Sequence, residues 1–350
     1  MMKIKPIKIG NKLVGEKQKC YIIAEIGSNF DGSFTKAKKL MKLAKTCGAD
    51  AVKFQTFTAE NLISKQGFEK KTAFQSKWKK SVWETYKDAE FPRKWHKKLN
   101  DFAKNIDIHF FTSPWDFEAV DMLNELNPPA IKVGSGDITY IEILKYIGTK
   151  NRPIILATGA STEREIAEAV RAIKSTGNHK IILLHSVTQY PSPIEDANLL
   201  VLSRLREKFQ LNVGYSDHSP GMLVALASVT LGSCVIEKHF TDNSLSIGPD
   251  HPHSMDPTSF SSMIKNIRVL EKALGDGKKK IERPEKQTRI IQRRGIWTIK
   301  YIKKGERFDR ENIKALRPDV GISASKFEYI LGKKANRNYT PDEPLKEFKN

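Results

Sequence analysis

Cysteine is scarce in this chain, and the three present, Cys20, Cys47 and Cys234, form no pattern. Without a CxxC or an even set of cysteines, a disulfide-stapled secreted scaffold and a zinc ribbon are both excluded. No apolar run approaches the roughly 18–20 residues a membrane-crossing helix needs. The opening MMKIKPIKIGNKLVG is basic but no apolar core follows it, so no signal peptide is expected and a soluble cytoplasmic protein is. Internal repeats and low-complexity tracts are missing, and no G-x-G-x-x-G follows the first candidate strand. Acidic residues are outnumbered: 40 Asp+Glu against 60 Lys+Arg leave a net charge of +20. A surface so basic favours anionic partners, but the lysines are scattered along the chain, as on a solvated face.

What is present is an alternation. Eight short runs rich in Val, Ile and Phe read as strands: Tyr21–Ile26, Asp50–Gln55, Ile108–Thr112, Ala130–Val133, Pro153–Ala157, Lys180–Leu184, Leu211–Gly214 and Ser233–Lys238. None shows a clean polar face, which is how strands covered on both sides read. Amphipathic stretches separate them, such as Thr35–Cys47, Thr162–Ser175, Pro220–Leu231 and Asp256–Ala273. Strand and helix repeated eight times predict an α/β fold, a (β/α)8 TIM barrel of about 250 residues. A doubly wound open sheet is the alternative, and it would carry fewer strands.

Two regions depart from the repeat. The connection from Thr56 to Phe91 is long and holds Phe68, Phe74, Trp78, Trp83 and Tyr86, so it reads as a lid or as a packed-down helical insertion. After Leu274 the charged turn Gly275-Asp276-Gly277-Lys278-Lys279-Lys280 opens a polar stretch, and short strands and turns begin near Gly295. The expected division is a barrel over 1–274, a linker over 275–292 and a small C-terminal domain over 293–350.

Barrel active sites gather at the C-terminal ends of the strands. Those ends carry Glu25, Lys53, Gln55, Thr112, Ser113, Lys132, Ser135, Thr158, His185, Thr188, Tyr190, Ser216, His218, Glu237 and His239. His218 and His239 close the seventh and eighth strands, which are neighbours in a barrel, and two imidazoles there suit one divalent ion. Lys53 and Lys132, with Ser135 inside a Gly-Ser-Gly turn, suit a phosphate or carboxylate. Buried lysines are costly without an anion, so two at one mouth argue for an anionic ligand. The structural alternative is internal pairing with Glu25 and Glu237.

These residues fall in strings: Ala24-Glu25-Ile26-Gly27-Ser28-Asn29, Val52-Lys53-Phe54-Gln55, Thr112-Ser113-Pro114, Ile131-Lys132-Val133-Gly134-Ser135-Gly136, Tyr190-Pro191, Gly214-Tyr215-Ser216-Asp217-His218, Glu237-Lys238-His239-Phe240-Thr241 and Gly248-Pro249-Asp250. In this order they resemble the sialic acid (N-acetylneuraminate) synthase family, which includes legionaminate and pseudaminate synthases. Lys303-Lys304-Gly305-Glu306, Arg317-Pro318 and Leu331-Gly332-Lys333-Lys334 are similar to that family's antifreeze-like (SAF) domain.

The resemblance implies condensation of phosphoenolpyruvate with the open-chain aldehyde of an N-acylated mannose-type sugar, giving a nine-carbon 2-keto acid and phosphate. It implies Mn2+ or Mg2+ on His218 and His239, and Glu25 managing protons. Phosphoenolpyruvate would be held by Lys53, Ser113, Lys132, Ser135, Thr188 and Ser216, and the sugar by Gln55, Tyr190 and Asp250. Arg317 would reach into the partner's site in a domain-swapped homodimer, with no nucleic acid or membrane as partner. Two departures stand near the phosphate and sugar sites: Ala157-Thr158-Gly159 in place of Ser-Thr-Gly, and His185-Ser186-Val187-Thr188-Gln189 in place of His-Cys-Thr-Asn or His-Cys-Thr-Ser. They leave the acceptor open. The lid lysines Lys70, Lys71, Lys77, Lys79 and Lys80 would suit a sugar 6-phosphate, whereas Phe68, Phe74 and Trp78 would wall a pocket for methyl and acetamido groups. A binding barrel without chemistry, for a glycan or nucleic acid, would instead show a basic stripe on an outer face.

Overall fold

The computed structural model describes residues 4–72, 75–76 and 78–346. They divide into two compact units, Met1–Gly275 and Asp276–Asn350. The first begins with a hairpin, β1 (Ile7–Ile9) against β2 (Lys12–Val14). Eight parallel strands follow: β3 (Tyr21–Glu25), β4 (Ala51–Thr56), β5 (His109–Pro114), β6 (Ile131–Val133), β7 (Ile154–Ala157), β8 (Ile181–Ser186), β9 (Asn212–Asp217) and β10 (Val235–His239). Their order is β5-β4-β3-β10-β9-β8-β7-β6, so the two ends of the sheet are consecutive in the chain and the sheet is a nearly closed barrel. Each of the eight predicted runs lies on one of these strands.

Side chains alternate along a strand between the barrel interior and the helical layer. Along β3, Tyr21 and Ile23 pack inside with Ala51, Phe111, Ile155, Ile182 and Val235, while Ile22 and Ala24 face outward. The outer layer is apolar because helices cover it. Phe54 and Ile236 meet Leu40 and Met41 of α1 (Phe34–Cys47), and Leu156 and Leu183 meet residues such as Val170 and Ile173 further along the chain. Helix starts are written locally. Ser33 caps α1 through the backbone N–H of Lys36, and Asp256 caps the helix Pro257–Leu274 in the same way. Inside, the lower half of the barrel is apolar and is plugged by Ile9 and Val14 of the hairpin.

The hairpin was not expected, although Gly10-Asn11 between Ile7-Lys8-Ile9 and Lys12-Leu13-Val14 is the signal that marks one. In the second unit a helix over Glu285–Gln292 occupies the stretch expected to be a linker. The rest of that unit closes a small core of Ile296, Ile302, Phe308, Ile313, Ile322, Tyr339 and Leu345 around an antiparallel pair, β11 (Gly295–Thr298) and β12 (Ile313–Leu316).

Candidate active site

The same alternation that fills the lower barrel with aliphatic side chains turns polar groups inward at the upper end. Register sets them side by side: Glu25 lies opposite Lys53 and His239, Gln55 opposite Ser113, and Ser216 opposite Glu237. A cavity of about 630 Å3 opens there. It is lined by Glu25, Lys53, Gln55, Ser113, Lys132, Ser135, Thr188, Tyr190, Ser216, His218, His239 and Asp250. These are all the expected site residues except Arg317. That arginine is exposed, just past β12 in the second unit.

At the floor, four charges form one buried network. Lys53 Nζ is 2.7 Å from Glu25 Oε2 and 3.7 Å from Glu237 Oε1, and Lys132 Nζ is 3.2 Å from the same Glu237 oxygen. Ser216 donates to Glu237 and Gln55 Nε2 donates to Glu25 Oε1 at 2.8 Å. Thus the lysines do pair internally, and they do so at the ligand cavity. Burial pushes Glu25 up to about 7, against the pull of the Lys53 ammonium. For Glu237 burial acts in the same sense, but Lys132 and Lys53 together outweigh it and hold that carboxyl below its ordinary value. Lys132 is lowered by burial, only partly offset by Glu237. Of the two carboxyls, Glu25 therefore carries the labile proton near neutral pH.

Beside this network the loops leaving β6, β7 and β8 converge. A Cβ built on Gly159 would collide with Thr188 Oγ1 and lie 2.6 Å from Ser186 Oγ and 2.9 Å from Ser135 Oγ. Three hydroxyls thus crowd one glycine, whose N–H donates to Ser135 Oγ at 3.1 Å, and Thr188 Oγ1 is buried without a partner. Such a recess of small donors suits an oxyanion. The departures from the family pattern at Ala157 and Ser186 line the same cavity, Ser186 within this recess.

The histidines form the third part. His218 Nδ1 lies 2.8 Å from the Val187 carbonyl, which can only accept, so Nδ1 carries the hydrogen and Nε2 keeps a lone pair. Burial lowers its pKa to about 4 and also holds that of His239 well below the ordinary imidazole value, so both rings stay neutral. The ring centroids of His218 and His239 are 5.7 Å apart, and those of His239 and His253 are 4.6 Å apart. Among the described residues, the group of three whose ligand atoms all lie within 4.8 Å of one another is His239, Asp250 and His253, which includes only one of the two expected ligands, His218 lying outside it. His239 Nδ1 and His253 Nε2 are buried without a hydrogen-bond partner, a donor set that fits a divalent ion. His253 was not expected as a ligand because it sits on no strand, although it ends the His251-Pro252-His253 run that held a hint. Asp250, expected to hold sugar, is also tied to the N–H and hydroxyl of Ser28, and Gly27, at φ +54°, is required because a Cβ there would strike its carboxylate.

Other residues came unannounced. Asp137 lines the cavity, and burial raises it to about 6. Trp115 lies so close to Gly134 that a Cβ there would come within 2.6 Å of its ring. The insertion after β4 lines the mouth with Leu62, Ile63, Trp78, Thr85, Tyr86 and Ala89. It contributes no Lys or Arg to the cavity among the described residues. Lys71 donates to the Trp78 carbonyl and Lys80 pairs with Asp88, while Lys70 and Lys79 do not line the cavity. Phe68, expected in the wall, is not part of it, and Phe74 and Lys77 lie outside the described residues. Of the remaining strand-end residues, His185 points away and bonds the Ala197 carbonyl, Thr158 bonds the Leu184 carbonyl, and Thr112 bonds Thr56.

No helix among the described residues is long and apolar enough to cross a membrane. The chain is 42% identical over 335 residues to the N,N'-diacetyllegionaminic acid synthase of Campylobacter jejuni, spanning 94% of this chain and 100% of that one. It is 36% identical over 342 residues to a pseudaminic acid synthase of the same species, spanning 97% and 99%. The crystal structure of the N-acetylneuraminic acid synthetase of Leptospira borgpetersenii, solved with citrate, superposes with a TM-score of 0.73 at 31% identity, over 81% of this chain and 95% of that one. Residues 293–347 match the SAF domain and residues 40–279 match the NeuB family, so the protein is a member of the NeuB family in which an SAF domain follows the barrel.

Proposed function

We propose that this protein is a nonulosonic acid synthase that condenses phosphoenolpyruvate with an unphosphorylated N-acylated mannose-type aldose, releasing a nine-carbon 2-keto acid and phosphate. The observation that carries the reading is the hydroxyl recess around Gly159, opening into the same cavity as two buried ammonium groups and the histidine cluster. The names of the Campylobacter relatives support a nonulosonic product.

In this reading Lys53, Lys132, Ser113, Ser135, Thr188 and Ser216 hold the phosphate and carboxylate, which fixes the methylene carbon in the cavity. Gln55, Tyr190 and Asp250 orient the sugar. His218 and His239, with Asp250 and His253 beside them, would hold Mn2+ or Mg2+, which would supply Lewis-acid polarisation of the aldehyde oxygen. The methylene carbon bonds to the aldehyde carbon as its C=O π bond opens, the oxygen takes its proton from Glu25, and C2 is left cationic. Water adds at C2, losing a proton back to Glu25, and the adduct collapses as its bond to the phosphate oxygen breaks and the C2 hydroxyl proton leaves with the phosphate. A carboxyl near 7 both takes and returns a proton at neutral pH. Arg317 acts on the partner's site in a domain-swapped homodimer in the cytoplasm.

The apolar lid wall of Leu62, Ile63 and Trp78, with no lid cation beside it among the described residues, supports an acceptor carrying methyl and acetamido groups. The test is phosphate release from phosphoenolpyruvate and Mn2+ with N-acetylmannosamine, its 6-phosphate, or 2,4-diacetamido-2,4,6-trideoxymannose. Release with an unphosphorylated sugar is expected. Preference for the 6-phosphate overturns the acceptor assignment, and no release with any of them overturns the reaction.

A further inference from the structure

The barrel has a second cavity at its other end, of about 740 Å3, between the hairpin strand β1 and the segments that enter β5, β6, β7 and β8. Four cations line it: Lys8 from the hairpin, Lys104 from the helix His96–Asn105, Arg152 before β7 and Lys180 before β8. No aspartate or glutamate lines it. Some surface cations of the barrel unit pair with carboxylates, as Lys87 does with Glu60, Lys150 with Asp121 and Arg204 with Glu163. Among the described residues none of these four does. Lys180 Nζ donates only to the carbonyl and Oδ1 of Asn151, both at 3.1 Å, and Arg152 Nε reaches Asn124 Oδ1 at 3.4 Å. Of the carboxylates at that end, Asp50 is already shared between Lys12 and Arg268, and Asp107 pairs with Lys45. The contrast with the active-site mouth is plain, since there each buried lysine has a glutamate.

Like charges gathered in a concave site raise its positive potential and attract anions. The volume falls within the roughly 300–1,000 Å3 of small-molecule sites, and Ile108, Phe110, Pro128 and Pro153 give it an apolar side. We propose that this cavity is an anion site distinct from the active site, taking a phosphate ester of about nucleotide size, with the phosphate on Arg152 and Lys180. Lys8 closes it from the hairpin, so occupancy ties the hairpin to the barrel floor.

Inorganic pyrophosphate, AMP and mannose 6-phosphate are titrated calorimetrically into the full chain at low salt, since the active site also takes phosphate. Two sites per chain are expected for at least one of these probes. Lys132→Gln removes the active-site event and leaves the other. Arg152→Gln/Lys180→Gln weakens the second at least about tenfold, since each charge-assisted hydrogen bond is worth ~1.5–3 kcal/mol, and leaves phosphoenolpyruvate turnover unchanged. Amide exchange across residues 7–14 slows when the second site fills. If the double variant does not fold, the exposed pair Lys8→Gln/Lys104→Gln carries the same test. A single site abolished by Lys132→Gln, or a second site untouched by the cavity variants, overturns the proposal. AMP binding with no pyrophosphate or mannose 6-phosphate binding assigns the site to nucleotides. Binding of all three assigns it to the phosphate alone.

Discussion

Glu25 and Glu237 share one lysine, yet their surroundings drive them apart. Glu237 has two ammonium groups and stays ionised, whereas Glu25 has one and is pushed by burial to about 7. Glu25→Gln keeps the bond with Gln55 in shape but cannot exchange a proton. We expect turnover to fall by about 10²–10⁴-fold and the limb of the rate profile near pH 7 to disappear. A variant that keeps both that limb and its rate would rule Glu25 out. His96 makes a second case away from the chemistry. Burial lowers its pKa to about 4, its Nδ1 donates to the Arg93 carbonyl, and Thr56 donates to its Nε2. The unfolded ring, near 6.5, takes up a proton first, so the stability this neutral ring contributes is present above pH 6.5 and is lost as pH falls toward 4. The loss over that window is ~3 kcal/mol. Urea midpoints between pH 7 and 4 check it: His96→Gln should flatten the slope by about one proton, and an unchanged slope contradicts the assignment.

At the scale of elements, the two histidine-bearing strands are fastened by a pair on their outer face. Lys238 of β10 lies 2.7 Å from Asp217 of β9, both side chains being essentially inaccessible, and Lys238 also donates to the Ser219 carbonyl. Asp217 in turn takes the N–H and hydroxyl of Ser219, which closes the turn that carries His218. Lys238→Met leaves a buried carboxylate alone, at a cost of ~3–5 kcal/mol. Asp217→Asn/Lys238→Met should recover part of that. Chemical denaturation of the two single variants and the double variant measures the coupling; strictly additive losses would show the pair to be incidental. The insertion after β4 works differently. Its aromatic residues were legible as a feature, but whether cations or apolar groups face the cavity depended on how two short helices fold back over the mouth. Lys70, Lys79 and Lys80 turned to solvent, where an ammonium keeps its hydration, and Lys71 donates to the Trp78 carbonyl.

For the whole molecule, all three hydrophobic clusters of the barrel unit are built from its own residues, and the C-terminal unit has a separate core. A chain ending at Leu274 should therefore remain folded by circular dichroism. If Arg317 acts on a partner's site, the truncated protein shows a raised acceptor Michaelis constant with that for phosphoenolpyruvate little changed. An unchanged acceptor constant would remove Arg317 and its domain from the site.

By itself the sequence determined the barrel and the identity of its reactive end. Strand alternation has a period of two and is local, so Tyr21, Ile23 and Glu25, or Lys53 and Gln55, are assigned to one face without any knowledge of their neighbours. What runs beyond that local period needed the closed fold. Ser135, Gly159, Ser186 and Thr188 come from three successive strand ends and meet around one missing Cβ only because register and closure bring those ends together. His253 and Asp250 reach His239 from an excursion after β10 that has no periodicity to read. The plugging of the lower barrel by Ile9 and Val14, and the four cations brought together beside it, arise the same way: each residue is unremarked in one dimension, and only the packing of distant segments places them within reach of one another.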